Sequence, residues 1–142
     1  MRFMILITSN ALTETGAPPS AALLAEMGRY NEAMAKAGVL VDGGGLQPTA
    51  KGARVRFSGA ERTAAKGPFA VSQRAVAGYW IFKTGSLDEA IEWVKRCPNP
   101  TGETAEIEIR QLFDPEDFAD SDPTGELRRR EAELSASVAA RH

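Results

Sequence analysis

The 142-residue sequence lacks most of the side chains on which metal and cofactor chemistry depends. One cysteine, Cys97, and one histidine, His142, exclude an internal disulfide framework and metal sites built on cysteine pairs or histidine clusters. Lysine and arginine total 17 against 19 acidic residues, and the net charge of −2 excludes a generally basic nucleic-acid-binding chain. We therefore expect no metal, no organic cofactor and no nucleic-acid partner.

Long hydrophobic runs are also missing. The apolar run near the start covers only residues 3–7, which is too short for a signal-peptide core or a membrane span. Together with the lone thiol, this predicts a cytoplasmic protein without a membrane partner.

The composition, with 43% hydrophobic and 25% charged residues, is that of a globular protein. We predict one domain over residues 1–113 and a helical extension over residues 114–142, where Leu127, Leu134 and Val138 form a weak apolar stripe. Arg128, Arg129 and Arg130 in this extension are surrounded by glutamates, so we interpret them as a solvated helix face.

Two helices are predicted within the domain. Leu23, Met27, Tyr30 and Met34 recur at helical spacing and form one apolar stripe. A capping box at residues 86–89 starts the second helix. Residues 9–18 are predicted to form a loop. The predicted strands cover residues 2–8, 39–41, 54–57, 77–83 and 106–110, and residues 58 and 59 are predicted to form the turn of a hairpin.

This order predicts an α+β protein with a ferredoxin-like antiparallel sheet and two helices on one face. The other face has no cover in the domain, and either Trp80 or its neighbours Tyr79 and Ile81 must point to it because strand residues alternate. We therefore predict a homodimer packed through the open sheet face. The alternative cover is the C-terminal helix folded back on its own sheet.

Several short segments, taken in order, carry a family resemblance. They are residues 3–7, 37–40, 44–48, 67–70, 77–80, 87–93 and 106–110. In these segments the chain resembles the YCII-related superfamily, and within it the group named for an Asp-Gly-Pro-Phe motif. The resemblance spans residues 1–113.

The resemblance implies a dimeric α+β barrel. Most relatives have no assigned activity, some act on small aromatic or lactone-like molecules with a His–Asp pair, and some are encoded near alternative sigma factors. This chain departs from the pattern because Lys66 replaces the aspartate of the motif, residues 71–73 are Val-Ser-Gln instead of Glu-Thr-Lys, and the first helix has no histidine.

The predicted ligand-binding residues are Lys66, Gly67, Pro68 and Phe69, which we expect at the lip of a pocket with Lys66 attracting an anion. The alternative is a rigid turn. Trp80 is a further candidate, stacking with Tyr79 on a planar ligand, unless these rings serve dimer packing.

Catalytic candidates are weaker. Tyr30 could act as a general acid, although its place on the apolar stripe favours a core ring with a satisfied hydroxyl. Glu106 and Glu108 share a strand face and could perform acid–base work, or they could be solvated. Arg110 on that face could anchor an anion. Asp42 is a lone carboxylate candidate.

Two further features favour structural roles. Residues 43–45 are three glycines that could cradle a phosphate, but they lack the P-loop pattern and favour a bulge. Cys97 follows the second helix at its C-terminal end, where a thiol pKa rises, which favours a structural thiol.

The leading hypothesis is a homodimeric YCII-related protein that binds a small molecule in a cleft, with a possible link to transcriptional signalling. The alternative is a lyase or isomerase that uses a carboxylate or tyrosine on a small cyclic or phenolic substrate. A third hypothesis is an interaction protein without a ligand.

Overall fold

The computed structural model describes residues 1–70, 75–99 and 104–142, so residues 71–73, where the chain departs from the family pattern, lie outside it. The chain forms two compact units, Met1–Gln111 and Leu112–His142. The elements of the first unit are β1 (Arg2–Thr8), α1 (Ala11–Glu14), α2 (Ala21–Lys36), β2 (Leu40–Gly45), β3 (Ala53–Ser58), β4 (Glu61–Lys66), β5 (Val76–Lys83), α3 (Leu87–Lys95) and β6 (Ile107–Gln111). A short 3-10 helix, Thr49–Lys51, precedes β3.

The main sheet has four strands in the order β2-β5-β1-β6, and each neighbouring pair is antiparallel. β3 and β4 form a separate two-stranded hairpin between β2 and β5. The predicted α+β class and antiparallel sheet are confirmed. The sheet of one chain is open, and its described strands do not close into a barrel. The two-subunit barrel therefore stays a prediction.

α2 and α3, the two long helices of the first unit, both begin at serine caps. The Ser20 hydroxyl accepts a hydrogen bond from the Leu23 N–H at 3.1 Å, and the Ser86 hydroxyl accepts one from the Glu89 N–H at 3.1 Å. A capping box would also have the Glu89 side chain accept from the N–H of the cap residue, Ser86. The Glu89 carboxylate instead accepts from the N–H of the preceding residue, Gly85, at 2.8 Å.

One sheet face forms the core. Phe3 and Ile5 of β1 and Phe82 of β5 are at most 1% exposed and pack with Met34 of α2 and Ala90 of α3. Because Met34 and Ala90 pack against these strand residues, α2 and α3 both cover this face. The side chains that alternate with them along each strand point to the opposite face. None of the residues described on the opposite face belongs to the core cluster.

The opposite face carries two rows of residues that run across the strands. The first row is Asp42, Ile81, Met4 and Arg110, in the order β2, β5, β1, β6. The second row is Gly44, Tyr79, Leu6 and Glu108 in the same strand order. We call these residues the open face. Its centre is apolar, and its charged side chains lie on the two edge strands.

The three consecutive glycines, residues 43–45, belong to β2, and the packing of this strand accounts for them without a bound phosphate. A register shift between Leu40 and Asp42 marks a bulge just before them. A Cβ atom on Gly43 would lie 2.5 Å from Cδ1 of Trp80, so the indole occupies the space that a side chain would need. The bulge interpretation therefore fits the start of this strand.

The prediction of a loop over residues 9–18 is wrong at residues 11–14, which form the short helix α1. The Asn10 side chain accepts from the Thr13 N–H at 2.9 Å, and the Thr13 hydroxyl accepts from the Asn10 N–H at 2.8 Å. This reciprocal cap stabilises a single turn that the hydrophobic pattern does not reveal.

The second unit consists of a 3-10 helix, Pro115–Ser121, and the helix α4, Glu126–Ala140. The carboxylate of Asp122 accepts the Leu127 and Arg128 N–H groups at 3.2 and 3.0 Å, and the Arg128 side chain at 3.1 Å. The hydrogen bond from the Arg128 backbone is the main reason that the pKa of Asp122 is lowered. Asp122 therefore caps α4 in place of Gly125, which has no side chain to do so.

Candidate functional site

A cavity of about 380 Å³ opens between the sheet and both long helices. Its apolar walls come from Ile7 of β1, Met27 of α2, Val94 of α3 and Ile107 of β6. It lies where β1 ends, at a point where the pairing of β1 with β5 shifts register. We call it the interlayer cavity. None of the ligand-binding residues predicted from the sequence lines it.

Small polar groups border the same cavity. They are Thr8, Ser9, Asn10, Thr13, Asn99 and Thr104. Ser9 is buried, and its N–H donates to the carbonyl of Ala75 at 2.8 Å. The lining thus combines apolar walls with hydrogen-bonding groups that are uncharged except for the carboxylate of Glu106, which is the composition of sites for small organic ligands.

Cys97 also lines the interlayer cavity. Burial raises the pKa of its thiol to about 11, so the thiol stays protonated at neutral pH. The Sγ atom donates to the Pro98 carbonyl at 3.4 Å. A protonated, hydrogen-bonded thiol agrees with the structural role expected for Cys97 and does not supply a nucleophile.

A second cleft, of about 500 Å³, lies beside the Gly-Pro-Phe loop. Phe69 of that loop lines it together with Lys51, Arg54 and Thr49. The Arg54 guanidinium lies over the Phe69 ring, 4.2 Å from its centroid. We call it the loop cleft. Of the predicted residues 66–69, Phe69 alone is part of its lining.

Thr49 links its own 3-10 helix to α1 and to the Gly-Pro-Phe loop. Its hydroxyl donates to the Glu14 carboxylate at 2.6 Å and accepts from the Phe69 N–H at 3.0 Å. The Thr49 N–H also donates to Glu14, at 3.2 Å. These bonds fix the position of the Phe69 main chain.

Gly67 is required by a close approach of two backbone segments. A Cβ atom at this position would overlap the carbonyl oxygen of Thr49. The Gly67 N–H donates to the Gly52 carbonyl at 2.9 Å, and the bond between Gly67 and Pro68 is cis. The glycine thus lets the loop lie against the 3-10 helix.

Lys66 is exposed at the end of β4 and does not line the loop cleft. Lys66 pairs with Ala53 across the hairpin, so these two side chains lie on the same face. Arg54 follows Ala53 in β3, and its side chain therefore lies on the opposite face. The cations beside the cleft are Lys51 and Arg54, which the sequence reasoning missed. No local pattern marks them, because their position depends on the hairpin register.

Tyr30 lies in the core. Its ring packs edge-on against Trp80 with centroids 5.5 Å apart, and its hydroxyl donates to the Trp93 carbonyl at 2.7 Å. Burial raises the pKa of the Tyr30 hydroxyl well above its usual range. This arrangement matches the alternative of a core ring with a satisfied hydroxyl, and Tyr30 lines neither cavity.

Trp80 faces the helices and is 7% exposed. Its indole N–H donates to the Asn31 side chain at 3.1 Å. Of the two possibilities for β5, the structure therefore places Tyr79 and Ile81 on the open face and Trp80 beneath α2.

Glu108 and Arg110 lie together on the open face, on the edge strand β6. Their side chains approach to 3.5 Å and are 59% and 71% exposed, respectively. An exposed pair of this kind adds little stability to a single chain. Both groups are available to a partner molecule.

The described residues contain no group of three or more histidine, cysteine, aspartate or glutamate side chains able to hold a metal ion. Their helices include none that is long and apolar enough to cross a membrane.

One curated relative, an uncharacterized protein of Rhizobium meliloti (strain 1021), is 33% identical over 67 residues, which cover 47% of this chain and 54% of the relative. The chain thus spans about half the length of that relative. The model of the YCII-related domain matches residues 1–113, which include the whole of the first unit and are the same span over which the motifs resemble this family. The chain therefore belongs to the YCII-related domain family.

Proposed function

We propose that this protein is a homodimeric binding protein for small, largely apolar molecules, and that the ligand occupies the interlayer cavity. The observation that carries the proposal is the cavity itself, which reaches between the sheet and both long helices. Its volume of about 380 Å³ falls in the range of small-molecule sites.

The lining defines the ligand class. Ile7, Met27, Val94 and Ile107 favour an apolar body, and Ser9 and Asn10 favour one or two hydroxyl or carbonyl groups. A net charge on the ligand is disfavoured, because a charged group moved into an apolar wall loses its hydration. A phenol or a medium-length alcohol has the required chemistry.

The same lining supports binding more directly than catalysis. Glu106 is the carboxylate among the described lining residues, and the Cys97 thiol is protonated at neutral pH. Acid–base chemistry usually needs a second positioned group with a suitable pKa. The hydroxyl of Tyr30, the other sequence candidate, donates a hydrogen bond to the Trp93 carbonyl outside the cavity.

The homodimer is proposed to form through the open face. If two sheets meet with a two-fold axis along the strands, Asp42 of one copy lies opposite Arg110 of the other, because both occupy the first row. In the same geometry Met4 meets Ile81, and Leu6 meets Tyr79. Such a surface is complementary to itself in both charge and apolar content.

We also propose that the chain belongs to the Asp-Gly-Pro-Phe group of the family, with Lys66 in the place of the aspartate. The ordered motifs support this placement. A link to transcriptional signalling rests on the resemblance alone and makes no use of the cavity.

The test is ligand binding by calorimetry and thermal shift with p-cresol and 1-hexanol as probes. A ligand at one hundred times its Kd stabilises the folded state by about 2.7 kcal/mol. Val94→Phe should abolish this effect, since the larger ring fills the cavity. Leu87→Phe is the matched control on the same helix, because Leu87 is 47% exposed and does not line the cavity.

The proposal requires binding by the wild type and by Leu87→Phe, and its loss in Val94→Phe. Equal binding by Val94→Phe, or no binding of either probe, would overturn it. Chemical conversion of a bound probe, followed by NMR, would replace the binding function with the enzymatic alternative.

A further inference from the structure

We propose that the loop cleft is a second binding site, which takes small molecules carrying a carboxylate or phosphate on an apolar body. It shares no described lining residue with the interlayer cavity. It also differs from that cavity in charge, so the two sites would select different ligands.

Charge is the first argument. Lys51 and Arg54 line the loop cleft, and its described lining residues include no carboxylate. The Glu14 carboxylate bonds to the lining residue Thr49, from whose N–H and hydroxyl it accepts hydrogen bonds, and it forms no ion pair with Lys51 or Arg54. Two cations beside a concave surface therefore attract an anion, and their field is not cancelled by an acid in the described lining.

The position of Arg54 is the second argument. Its Cζ atom lies over the Phe69 ring, 4.2 Å from the ring centroid. A guanidinium held on a ring in this way carries N–H donors in a planar fork that matches the oxygens of a carboxylate or phosphate. Within the described residues, neither the Arg54 nor the Lys51 side chain has a hydrogen-bond or ion-pair partner.

The third argument is that the site is held in shape before a ligand arrives. Thr49 bonds to both Glu14 and the Phe69 main chain, and Gly67 lies against the carbonyl of Thr49. These contacts fix the ring on which Arg54 rests. A preformed site loses less conformational freedom on binding.

Apolar side chains complete the lining. Leu46, Pro48 and Val76 lie beside Phe69 and offer contact to a hydrocarbon or aromatic body. An anion without such a body would use only the two cations. We therefore expect an aromatic carboxylate to bind more tightly than inorganic phosphate.

The experiment measures binding of benzoate and of inorganic phosphate to the full chain by calorimetry at low salt, with benzyl alcohol as the uncharged analogue of benzoate. Arg54→Gln should weaken benzoate binding about tenfold or more, because one charge-assisted pair is lost. Arg56→Gln is the matched control: it removes the same charge from the same hairpin face, two residues away, at a position that does not line the cleft.

The proposal predicts that benzoate binds, that benzyl alcohol binds at least about tenfold more weakly at this site, and that Arg56→Gln changes the benzoate Kd less than about twofold. It is overturned if benzoate does not bind, or if Arg54→Gln and Arg56→Gln weaken binding equally, since the attraction would then be general. Val94→Phe should leave benzoate binding unchanged, so failure of the interlayer cavity as a site can be separated from failure of this one.

Discussion

Replacing Leu6 by glutamate should convert the proposed homodimer into a monomer. Leu6 lies in the second row of the open face, between Tyr79 and Glu108. In the proposed geometry its side chain packs against Tyr79 of the other copy. The substitution removes that contact and places a carboxylate in an apolar centre.

The size of the effect follows from the symmetry of the interface. Burying one leucine side chain contributes about 1.5–3 kcal/mol, and Leu6 is already half-buried in one chain, so the lower figure applies. A two-fold interface contains the contact twice, which gives about 3 kcal/mol from lost burial alone. This corresponds to a rise in the dimer Kd of about 150-fold, and the unpaired carboxylates add to it.

Sedimentation velocity over a dilution series measures this directly, because the monomer mass is 15.2 kDa. Leu24→Glu is the control, since Leu24 is 56% exposed on α2, which packs on the other face of the sheet. Arg110→Asp provides a second variant at an exposed edge position that does not threaten folding. The reasoning is refuted if the wild type sediments as a monomer at micromolar concentration, or if neither open-face variant shifts the equilibrium.

Three further outcomes are expected. Gly43→Ala should destabilise the fold by about 1–3 kcal/mol in denaturant unfolding, because its Cβ would lie 2.5 Å from the Trp80 ring, whereas Gly45→Ala has nothing within 4 Å and should stay within about 0.5 kcal/mol. Tyr30→Phe removes one of two hydrogen bonds to the Trp93 carbonyl, which still accepts from the Arg96 N–H at 3.1 Å, and should reduce the free energy of unfolding by about 0.5–1.5 kcal/mol, while p-cresol binding is retained. The lowered pKa of Asp122 means that its stabilisation of α4 is complete above its unfolded pKa of about 3.9 and is lost as the pH falls through the lower folded pKa. Hydrogen exchange in the first turn of α4 should therefore accelerate in acid, and Asp122→Asn should lack this dependence.

Periodicity and capping chemistry predicted the main elements of the first unit. The apolar stripe of α2 and the serine cap of α3 are local signals, and both lie where they were expected. The hairpin was also expected, although its turn is at residues 59 and 60, one residue later than predicted. The short helix α1 was missed because it depends on a reciprocal hydrogen bond and has no apolar stripe.

The sites were less predictable than the elements. The choice between Trp80 and its neighbours could not be made from alternation alone, since a shift of one residue moves every side chain to the other face. The link between Glu14 and Thr49 joins residues 35 positions apart and has no local signature. Lys66 was favoured as the cation of the Gly-Pro-Phe loop, but the register with Ala53 turns it away from Arg54.

The hairpin of β3 and β4 has a consequence for how this fold can diverge. All twelve of its strand residues are exposed, so no core contact dictates which side chains they carry. Substitutions there should change stability little, unlike changes to the buried strands. The hairpin can therefore vary its surface chemistry, including the Arg54 side of the proposed loop cleft, while the scaffold stays the same.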